Sequence, residues 1–217
     1  MKYHMSTEHP VAADSPDHIQ PRSTRFDNTI NERFNKVIIS MFNEPSVLDF
    51  GCAGGGMVRS FIDAGCEAVG LEGSDYNREH GLHEWPVIPD NLFTCDLGFP
   101  FTLYYGRRKY PHKFDVVTMW EFIEHIPETR LPVVISNAKK HLKKDGLIIG
   151  STNEFGSVFE GVEHHLTKQP IAWWYDFFAK QGLKRRKDLE EKLEHNNAWV
   201  RKVKSNFVLS PAIRGIG

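Results

Sequence analysis

A turn dense in glycine, residues 51–56 (GCAGGG), follows a short apolar segment and leads directly into a helical pattern. Glycine reaches backbone angles that are closed to other residues, and it lets a ligand approach the main chain. The next apolar segment ends at Glu72, about 20 residues after Gly51, where an acid can accept hydrogen bonds from both hydroxyls of a ribose. Strand, turn, helix, strand and acid together predict a site for a ligand that contains a nucleoside.

Short apolar runs alternate with helical patterns along most of the chain. Strands are predicted at 46–50, 67–71, 91–95, 114–119, 146–151 and 205–209, and helices at 28–43, 57–64, 128–143 and 171–181. Asn28 is the predicted N-cap of the first helix. Because strands that alternate with helices form parallel sheets covered on both faces, the pattern predicts one α/β domain with a doubly wound, mainly parallel sheet.

The composition excludes several classes of protein. With 27 Lys and Arg against 28 Asp and Glu in 217 residues, the chain lacks the basic charge expected of a protein that grips nucleic acid. No apolar run approaches the roughly 18–20 residues that span a bilayer, so no membrane partner is expected. Three cysteines, Cys52, Cys66 and Cys95, lack the spacing of a metal site or disulfide scaffold, which predicts reduced thiols and a cytoplasmic location.

The first 26 residues are polar, contain three prolines and show little periodicity. They predict a flexible N-terminal arm that a ligand could order, followed by one domain over residues 27–217. Between the third and fourth strands, residues 101–113 (FTLYYGRRKYPHK) predict a solvated loop. The alternative is a site for a phosphate or acidic substrate, because Arg107, Arg108 and Lys109 lie among tyrosines.

The glycine turn differs from two common nucleotide-binding loops. A dinucleotide loop reads G-x-G-x-x-G and a nucleoside-triphosphate loop needs G-K-[ST], and no Lys follows the glycines here. Asp49, just before the turn, would repel a pyrophosphate but could orient a cationic ammonium group. A ligand with a ribose at one end and a cationic amino acid at the other is S-adenosylmethionine.

Five segments carry a resemblance to a known superfamily. They are VLDFGCAGGG (47–56), AVGLEGSD (68–75), FTCDLG (93–98), FDVVTMWEFIEHIPE (114–128) and HLKKDGLIIGST (141–152). In this order they resemble the class I S-adenosylmethionine-dependent methyltransferases, and most of all the ubiquinone-biosynthesis O-methyltransferase branch. The resemblance implies that residues 27–217 form a Rossmann-like domain with a seven-stranded sheet, one strand of which is antiparallel near the C-terminus. Ala53 departs from the family, whose turn has a glycine at that position.

The resemblance also implies which residues bind the methyl donor: Asp49, Gly51, Ala53, Gly55, Glu72, Gly73, Ser74, Asp96, Leu97 and Thr118. The turn would wrap the methionine portion, with Asp49 near its ammonium group and Thr118 alongside. Glu72 would hold the ribose hydroxyls, and Asp96 would accept a hydrogen bond from the adenine amino group. A capping role at the end of a strand is the alternative interpretation of Asp96.

Two clusters of acids and histidines could carry the chemistry. Glu121, Glu124 and His125 form the pattern E-x-x-E-H, and His164 and His165 follow the fifth predicted strand. Because an oxygen nucleophile benefits from a base, His125 or His165 is the predicted general base, with Glu121 as a further catalytic residue. Alternatively, Glu121, Glu124, His125 and His165 could bind Mg²⁺, Mn²⁺ or Zn²⁺. Structural alternatives are a packing role for His125, a loop-solvating role for Glu121, and one solvent-facing imidazole in the pair His164 and His165.

These features predict O-methylation of a small-molecule or saccharide-type acceptor by in-line transfer from S-adenosylmethionine, with a histidine base. Trp120, with Trp173 or Trp174, could wall the acceptor site, and core packing is the alternative. Metal-assisted 2′-O-methylation of RNA is a second hypothesis, because E-x-x-E-H followed by a histidine also resembles small-RNA methyltransferases; the neutral net charge argues against it. A non-catalytic, methyltransferase-like binding module is a third. The oligomeric state is left open.

Overall fold

The structure, a computed structural model, describes residues 2–196 and 205–212. In chain order its elements are β1 (Tyr3–Thr7), α1 (Pro16–Ile19), α2 (Arg22–Phe26), α3 (Glu32–Phe42), β2 (Ser46–Phe50), α4 (Gly56–Asp63), β3 (Glu67–Glu72), α5 (Tyr76–Glu79), β4 (Leu92–Thr94), β5 (Phe101–Tyr105), β6 (Phe114–Met119), a 3₁₀ turn (Ile123–His125), α6 (Leu131–His141), β7 (Leu142–Ser151), β8 (Val158–Phe159), β9 (Val162–Glu163), α7 (Ile171–Lys180), β10 (Leu183–Arg185), α8 (Lys187–Asn196) and β11 (Asn206–Pro211).

Seven strands form the central sheet, in the order β10-β11-β7-β6-β2-β3-β4. The pairs β7–β6, β6–β2, β2–β3 and β3–β4 are parallel, whereas β11 is antiparallel to both of its neighbours. The predicted fold class is therefore confirmed: a doubly wound, mainly parallel seven-stranded sheet with one antiparallel strand near the C-terminus. The chain reverses its direction of travel across the sheet between β2 and β6, and ligands of such sheets bind beside this switch point.

Two hydrophobic clusters cover the two faces of the sheet. Leu48 of β2 belongs to one cluster, together with Trp174 of α7, and Val47 belongs to the other, together with Phe34 of α3. Successive residues of one strand therefore face opposite clusters, which explains why the strands are continuous apolar runs in the sequence. Trp174, considered above as a wall of the acceptor site, is fully buried in this core, and Trp173 packs against it.

Segments that were expected to be irregular form a second, two-stranded sheet. β1, from the expected flexible arm, pairs antiparallel with β5, from the expected solvated loop. Phe101 and Leu103 are buried against the main core, so β5 has an alternating pattern that its neighbouring tyrosines and arginines obscured in the sequence. With α1 and α2 following β1, residues 2–26 and 101–113 are more regular than their sequence predicted.

Two predicted helices are shorter in the structure. α3 begins at Glu32 rather than near residue 28, because the side chain of Asn31, not of Asn28, accepts the hydrogen bond from the backbone N–H of Phe34. Asn28 instead packs on the glycine turn, where a Cβ on Gly54 would lie 2.6 Å from its Oδ1. α6 ends at His141, and the backbone passes directly into β7. Side-chain capping and contacts with the turn, rather than hydrophobic periodicity, thus decide where α3 begins.

Two expectations from composition can be compared with the structure. Cys52, Cys66 and Cys95 are free thiols, and all three are buried. Over residues 2–196 and 205–212, no helix combines the length and the apolar character that crossing a membrane requires.

Candidate active site

A cavity of about 320 Å³ opens at the carboxyl ends of β2, β3 and β6, beside the switch point of the sheet. The predicted donor-binding or catalytic residues that line it are Gly51, Ala53, Glu72, Gly73, Ser74, Asp96, Leu97, Glu121, His125 and His165. The lining also includes Ala12, Ser15, Asp17, Thr24, Asp27, Trp120, Phe122, Ile126, Asn153 and Ser157. Most of the predicted site residues are therefore brought together around one cavity.

The path of the glycine turn depends on positive φ angles. Gly51 has a φ of +73°, and a Cβ there would lie 2.6 Å from the ring of Phe122. Gly55, which does not line the cavity, has a φ of +88° and is the N-cap of α4. Ala53 has a φ of 44°, a conformation that costs a non-glycine residue roughly 1–2 kcal/mol. The departure of Ala53 from the family pattern therefore leaves the path of the turn intact, at a cost in stability.

Glu72 ties the turn to the end of β3. Its carboxylate accepts hydrogen bonds from the backbone N–H groups of Ala53, at 2.9 Å, and Ser74, at 3.0 Å. Burial raises the pKa of Glu72, while these two hydrogen bonds act to lower it. Because a carboxylate has about four lone-pair sites, the side chain keeps acceptor capacity for the hydroxyls of a ligand.

Asp49 and Thr118 lie behind the turn rather than in the main cavity. Thr118 is fully buried, and its hydroxyl donates a hydrogen bond to Oδ1 of Asp49 at 2.6 Å. Asp49 lines a smaller cavity of about 90 Å³ that borders the same turn. Burial, together with the charges of Asp27 and Glu72, raises the pKa of Asp49 to about 7 against the effect of the Thr118 hydrogen bond.

The raised pKa of Asp49 predicts that affinity for the donor depends on pH. A carboxyl with a pKa of about 7 is largely neutral at pH 6 and largely ionised at pH 8, and only the anion attracts an ammonium group. The affinity for S-adenosylhomocysteine should therefore rise by about tenfold between pH 6 and pH 8. Asp49→Asn should remove this rise. Calorimetric titrations at both pH values measure it, and equal wild-type affinities would contradict the prediction.

The N-terminal segment covers the end of the cavity near Gly73 and Asp96. The backbone N–H of Ala12 donates to the carbonyl of Gly73 at 2.8 Å, and the backbone N–H of Asp96 donates to the carbonyl of His9 at 2.9 Å. Oδ1 of Asp96 accepts from the backbone N–H of Gly98 at 2.9 Å, which is the local hydrogen bond of a capping residue. Since Asp96 also lines the cavity, its capping contact and its predicted role in donor binding are compatible.

His125 and His165 lie side by side at the cavity, with ring centroids 4.8 Å apart. Nδ1 of His125 is 2.7 Å from Oδ2 of Asp17, and Nδ1 of His165 is 2.6 Å from the carbonyl oxygen of Phe155. Burial acts to lower the pKa of His125, but the hydrogen bond and charge of Asp17, together with the charges of Glu124 and Glu72, outweigh burial and raise this pKa. Burial and the charge of His125 lower the pKa of His165. The two imidazoles therefore differ in basicity although they touch.

His164 is buried as well, so the expectation that one imidazole of the pair His164 and His165 faces solvent is wrong. The β8–β9 hairpin folds back, and the backbone N–H of His164 donates to the carbonyl of Ser157 at 2.8 Å. Nδ1 of His164 lies 3.0 Å from Oδ1 of Asp17. Burial acts to raise the pKa of Asp17, but its two histidine partners outweigh burial and lower it.

Glu121 and Glu124 have different environments. Glu121 has a φ of 44°, and its Oε1 accepts a hydrogen bond from the hydroxyl of Ser151 at 2.6 Å. Glu124 is fully buried, and neither of its carboxyl oxygens has a hydrogen-bond partner within the described part of the chain. Burial and the charge of Glu121 raise the pKa of Glu124 to about 8. Glu124, His125 and His165 each offer one ligand atom, and these atoms lie within 4.8 Å of one another.

Asp17 is the site residue that the sequence analysis missed most clearly. It lies in the polar N-terminal segment, where no periodic pattern predicted a contact. The one local signal is Ser15 followed by Pro16, and the Ser15 side chain does accept a hydrogen bond from the backbone N–H of His18 at 3.1 Å. This signal predicts a short helix, but nothing in it indicates where the helix packs.

The fold agrees with what comparison with known proteins finds. A family model described as a methyltransferase domain matches residues 21–203. The chain belongs to the S-adenosylmethionine-dependent methyltransferases. The matched region of this methyltransferase begins at residue 21, within the segment expected to be an arm, and therefore includes α2.

The methyltransferase is similar to curated ubiquinone biosynthesis O-methyltransferases. It is 31% identical over 111 residues to the enzyme of Proteus mirabilis, which covers 49% of this chain and 41% of the relative. It is 30% identical over 145 residues to the enzyme of Pasteurella multocida, covering 62% and 59%. The chain thus spans about half the length of these relatives.

Solved structures show the same fold at low sequence identity. The CcbJ methyltransferase of Streptomyces caelestis has a TM-score of 0.59 and 13% identity, covering 95% of this chain and 98% of its own. DesVI of Streptomyces venezuelae has a TM-score of 0.58 and 18% identity, covering 88% and 93%. The 1,6-didemethyltoxoflavin-N1-methyltransferase of Burkholderia thailandensis, solved with bound S-adenosylhomocysteine, has a TM-score of 0.54 and 11% identity, covering 89% and 81%. The predicted Rossmann-like methyltransferase fold is confirmed.

Proposed function

We propose that this methyltransferase methylates an oxygen of a small-molecule or saccharide-type acceptor, with an imidazole as general base. The observation that carries the proposal is that the glycine turn, Glu72 and the pair of His125 and His165 surround one cavity. The residues predicted to bind the donor and the candidate bases therefore border the same cavity, which supports an in-line transfer. The similarity to O-methyltransferases over 111 and 145 residues supports oxygen as the methylated atom.

The residues around the cavity fit S-adenosylmethionine, which when bound supplies an electrophilic methyl group. A Cβ at Gly51 would collide with the ring of Phe122, so glycine allows the turn to follow its path along the cavity, where the main chain would contact the methionine portion. Glu72 would accept from the ribose hydroxyls with its remaining lone pairs, and Asp49 would face the ammonium group. Asp96, with Leu97 beside it, would contact adenine.

The two imidazoles suit different parts of a proton transfer. The lowered pKa of His165 keeps its imidazole neutral near pH 7, and its Nδ1–H donates to the carbonyl of Phe155. Nε2 of His165 would then accept the proton of the acceptor hydroxyl. His125, with its raised pKa, would be the hydrogen-bond donor beside it, because environments that separate two pKa values commonly divide acid and base roles. Glu121, held by Ser151, would form the adjoining wall.

The charge of the cavity supports a neutral acceptor. Five carboxylate residues line it (Asp17, Asp27, Glu72, Asp96 and Glu121), and no Lys or Arg is among the described residues that line it. An anionic acceptor would be repelled there, whereas hydroxyl groups would find hydrogen-bond acceptors. Trp120 adds an aromatic surface on which a sugar ring can stack. These features favour a neutral small molecule or saccharide over RNA, whose phosphates need cations.

Metal-assisted transfer is a second candidate, favoured by the unpaired carboxyl of Glu124. In both His125 and His165, Nδ1 already has an oxygen partner, which leaves Nε2 for a cation, as in metal-ligating histidines. One carboxylate and two imidazoles suit Zn²⁺ or Mn²⁺, which would lower the pKa of a bound hydroxyl. Glu121, the fourth member of the predicted metal set, is instead hydrogen-bonded to Ser151.

The predicted cytoplasmic location stays a proposal. The three free, buried thiols support it, because disulfides are rare in reducing compartments.

A methyl-transfer assay with labelled S-adenosylmethionine tests the proposed function. Neutral saccharides and hydroxylated aromatic compounds should be labelled at least about tenfold faster than phosphorylated analogues. The repulsion between a phosphate and one unscreened carboxylate near a protein surface exceeds about 1.4 kcal/mol, which corresponds to a factor of ten in rate. RNA oligonucleotides should remain unlabelled. Labelling of RNA alone would contradict the proposal, and binding of S-adenosylhomocysteine without any transfer would favour the non-catalytic module.

Chelation in the same assay separates the two mechanisms. With a histidine base, EDTA should change the rate by less than about twofold, whereas a metal mechanism should lose most activity and regain it with Mn²⁺. Calorimetry with Mn²⁺ provides a readout besides activity. Glu124→Gln should abolish Mn²⁺ binding if the metal candidate is correct, while Glu128→Gln, an exposed acid four residues along the chain, serves as the matched control.

A further inference from the structure

Asp17 joins three segments of the chain above the cavity. Its Oδ2 lies 2.7 Å from Nδ1 of His125, in the 3₁₀ turn after β6, and its Oδ1 lies 3.0 Å from Nδ1 of His164, just after β9. These partners are 108 and 147 residues away along the chain. The side chain of Asp17 is only 16% exposed, and it lines the cavity. A buried carboxylate between two imidazoles is costly to assemble unless each contact is made, so this geometry points to a specific role.

We propose that Asp17 is a positioning residue for the active-site imidazole pair, acting through His125. This inference rests on the proposed function, in which His125 lies beside the acceptor. Because a carboxylate oxygen accepts from Nδ1, a proton of His125 is held on Nδ1, and Nε2 is the nitrogen that would donate beside His165 when the ring is protonated. The ring is thereby held against His165, with centroids 4.8 Å apart.

His164 keeps the carboxylate in place. Its Nδ1 occupies the second oxygen of Asp17, so the carboxylate cannot turn away from His125 without losing a buried hydrogen bond. The His164 side chain is 3% exposed, and its backbone N–H is bound to the carbonyl of Ser157. His164 therefore acts on the site through Asp17 and has no predicted contact with a substrate.

The segment that carries Asp17 also covers the donor end of the cavity. Ala12 is hydrogen-bonded to Gly73, and Asp14 pairs with Arg130 at 2.7 Å. Nδ1 of His18, at the end of the same stretch, lies 3.5 Å from Oδ1 of Asp75. Since these contacts hold the segment without the Asp17 side chain, its removal should leave the segment in place over the cavity and change the orientation of the imidazole alone.

Asp17→Ala tests the proposal, with Glu8→Ala as the matched control from the same N-terminal segment. Glu8 is an exposed acid that does not line the cavity. We expect Asp17→Ala to lower kcat by roughly 10- to 100-fold, which is part of the contribution of a well-placed proton-transfer group. KM for the donor and Kd for S-adenosylhomocysteine should change by less than about threefold. Glu8→Ala should leave kcat within about twofold. His164→Gln, which keeps the contact of Asp17 with His125, should lower kcat less than Asp17→Ala.

Long-range ¹H–¹⁵N spectra of the imidazoles give a readout that needs no acceptor. In the wild type, His125 should keep a proton on Nδ1 in its neutral form as well as in its protonated form, and the neutral form should lose this signature in Asp17→Ala. If that variant fails to fold, Asp17→Asn preserves the shape, and its single acceptor oxygen cannot serve both imidazoles equally. An unchanged His125 signature, or a kcat loss matched by an equal loss of donor affinity, would overturn the proposal.

Failure of the proposed function would look different. In that case the wild type would bind S-adenosylhomocysteine but methylate no oxygen acceptor, whereas the Nδ1 signature of His125 and its dependence on Asp17 would still be observed.

Discussion

Replacing Glu72 with alanine should raise the Kd for S-adenosylhomocysteine by about 100-fold or more. Two hydrogen bonds from ribose hydroxyls to a buried carboxylate are each worth about 1.5–3 kcal/mol, and every 1.4 kcal/mol is a factor of ten in affinity. The substitution also removes the acceptor for the backbone N–H groups of Ala53 and Ser74. The turn would then lose the contact that connects it to β3, which adds to the loss of affinity. Calorimetric titration with S-adenosylhomocysteine measures the effect directly.

Two variants separate ligand recognition from support of the turn. Glu72→Gln keeps the shape and one acceptor oxygen, so it should weaken binding less than Glu72→Ala. Glu67→Ala removes an acid from the opposite end of the same strand, where the carboxylate is 2.9 Å from His112 and away from the cavity. It should leave the affinity within about twofold. A Glu72→Ala variant that keeps its fold by circular dichroism and binds within threefold of the wild type would contradict the assignment of the donor site.

Removing either imidazole of the cavity should reduce turnover far more than donor binding. His165→Ala should lower kcat by about 10²–10⁴-fold, the range for loss of a general base. His125→Ala should also lower kcat, because it removes the neighbouring donor and leaves Asp17 with one partner instead of two. The donor Kd should stay within about threefold in both variants, since neither histidine is among the predicted donor-binding residues. Steady-state kinetics and calorimetry on the same preparations measure this separation.

His4→Ala is a suitable control for these variants. His4 lies on β1, is exposed, and stacks on Tyr104 in the small two-stranded sheet. Its removal should change neither kcat nor Kd appreciably. Wild-type turnover in both His125→Ala and His165→Ala would exclude an imidazole base, and activity lost only together with bound Mn²⁺ would support the metal candidate instead.

Much of the fold was predictable because its signals are local. Buried parallel strands need continuous apolar runs, so β2 and β6 were predicted with the bounds that the structure has. A turn that must adopt positive φ next to a bulky ring favours glycine, and Gly51 shows this requirement directly. Glu72 could be predicted because the end of a strand next to that turn has a defined place in the sheet.

The β1–β5 pair and the N-cap of α3 could not be predicted from local sequence patterns. The sequence pattern does not predict the β1–β5 pair, because β1 contains few apolar residues. β1 is stabilised by pairing with β5, which lies almost one hundred residues away along the chain. The N-cap of α3 was placed at Asn28 instead of Asn31, because both positions carry the same side chain and only packing against the glycine turn distinguishes them. In both cases a contact between residues distant in sequence, β1 with β5 and Asn28 with Gly54, is what a local pattern cannot predict.

The resemblance of five segments to a known superfamily indicates an S-adenosylmethionine-dependent methyltransferase. Hydrophobic periodicity, the glycine turn and the acid after it are enough to predict a doubly wound α/β fold and the strand ends at which its cavity opens. These sequence features predict structure because each involves residues close together in the chain, whose backbone angles and burial follow from residue type. The folded chain alone reveals that Asp17 contacts His125 and His164, that both histidines of the later cluster are buried, and that Glu124 has no hydrogen-bond partner within the described residues. The two contacts of Asp17 join segments more than a hundred residues apart. They form only when the helices and strands that carry these segments pack together, which no local pattern predicts.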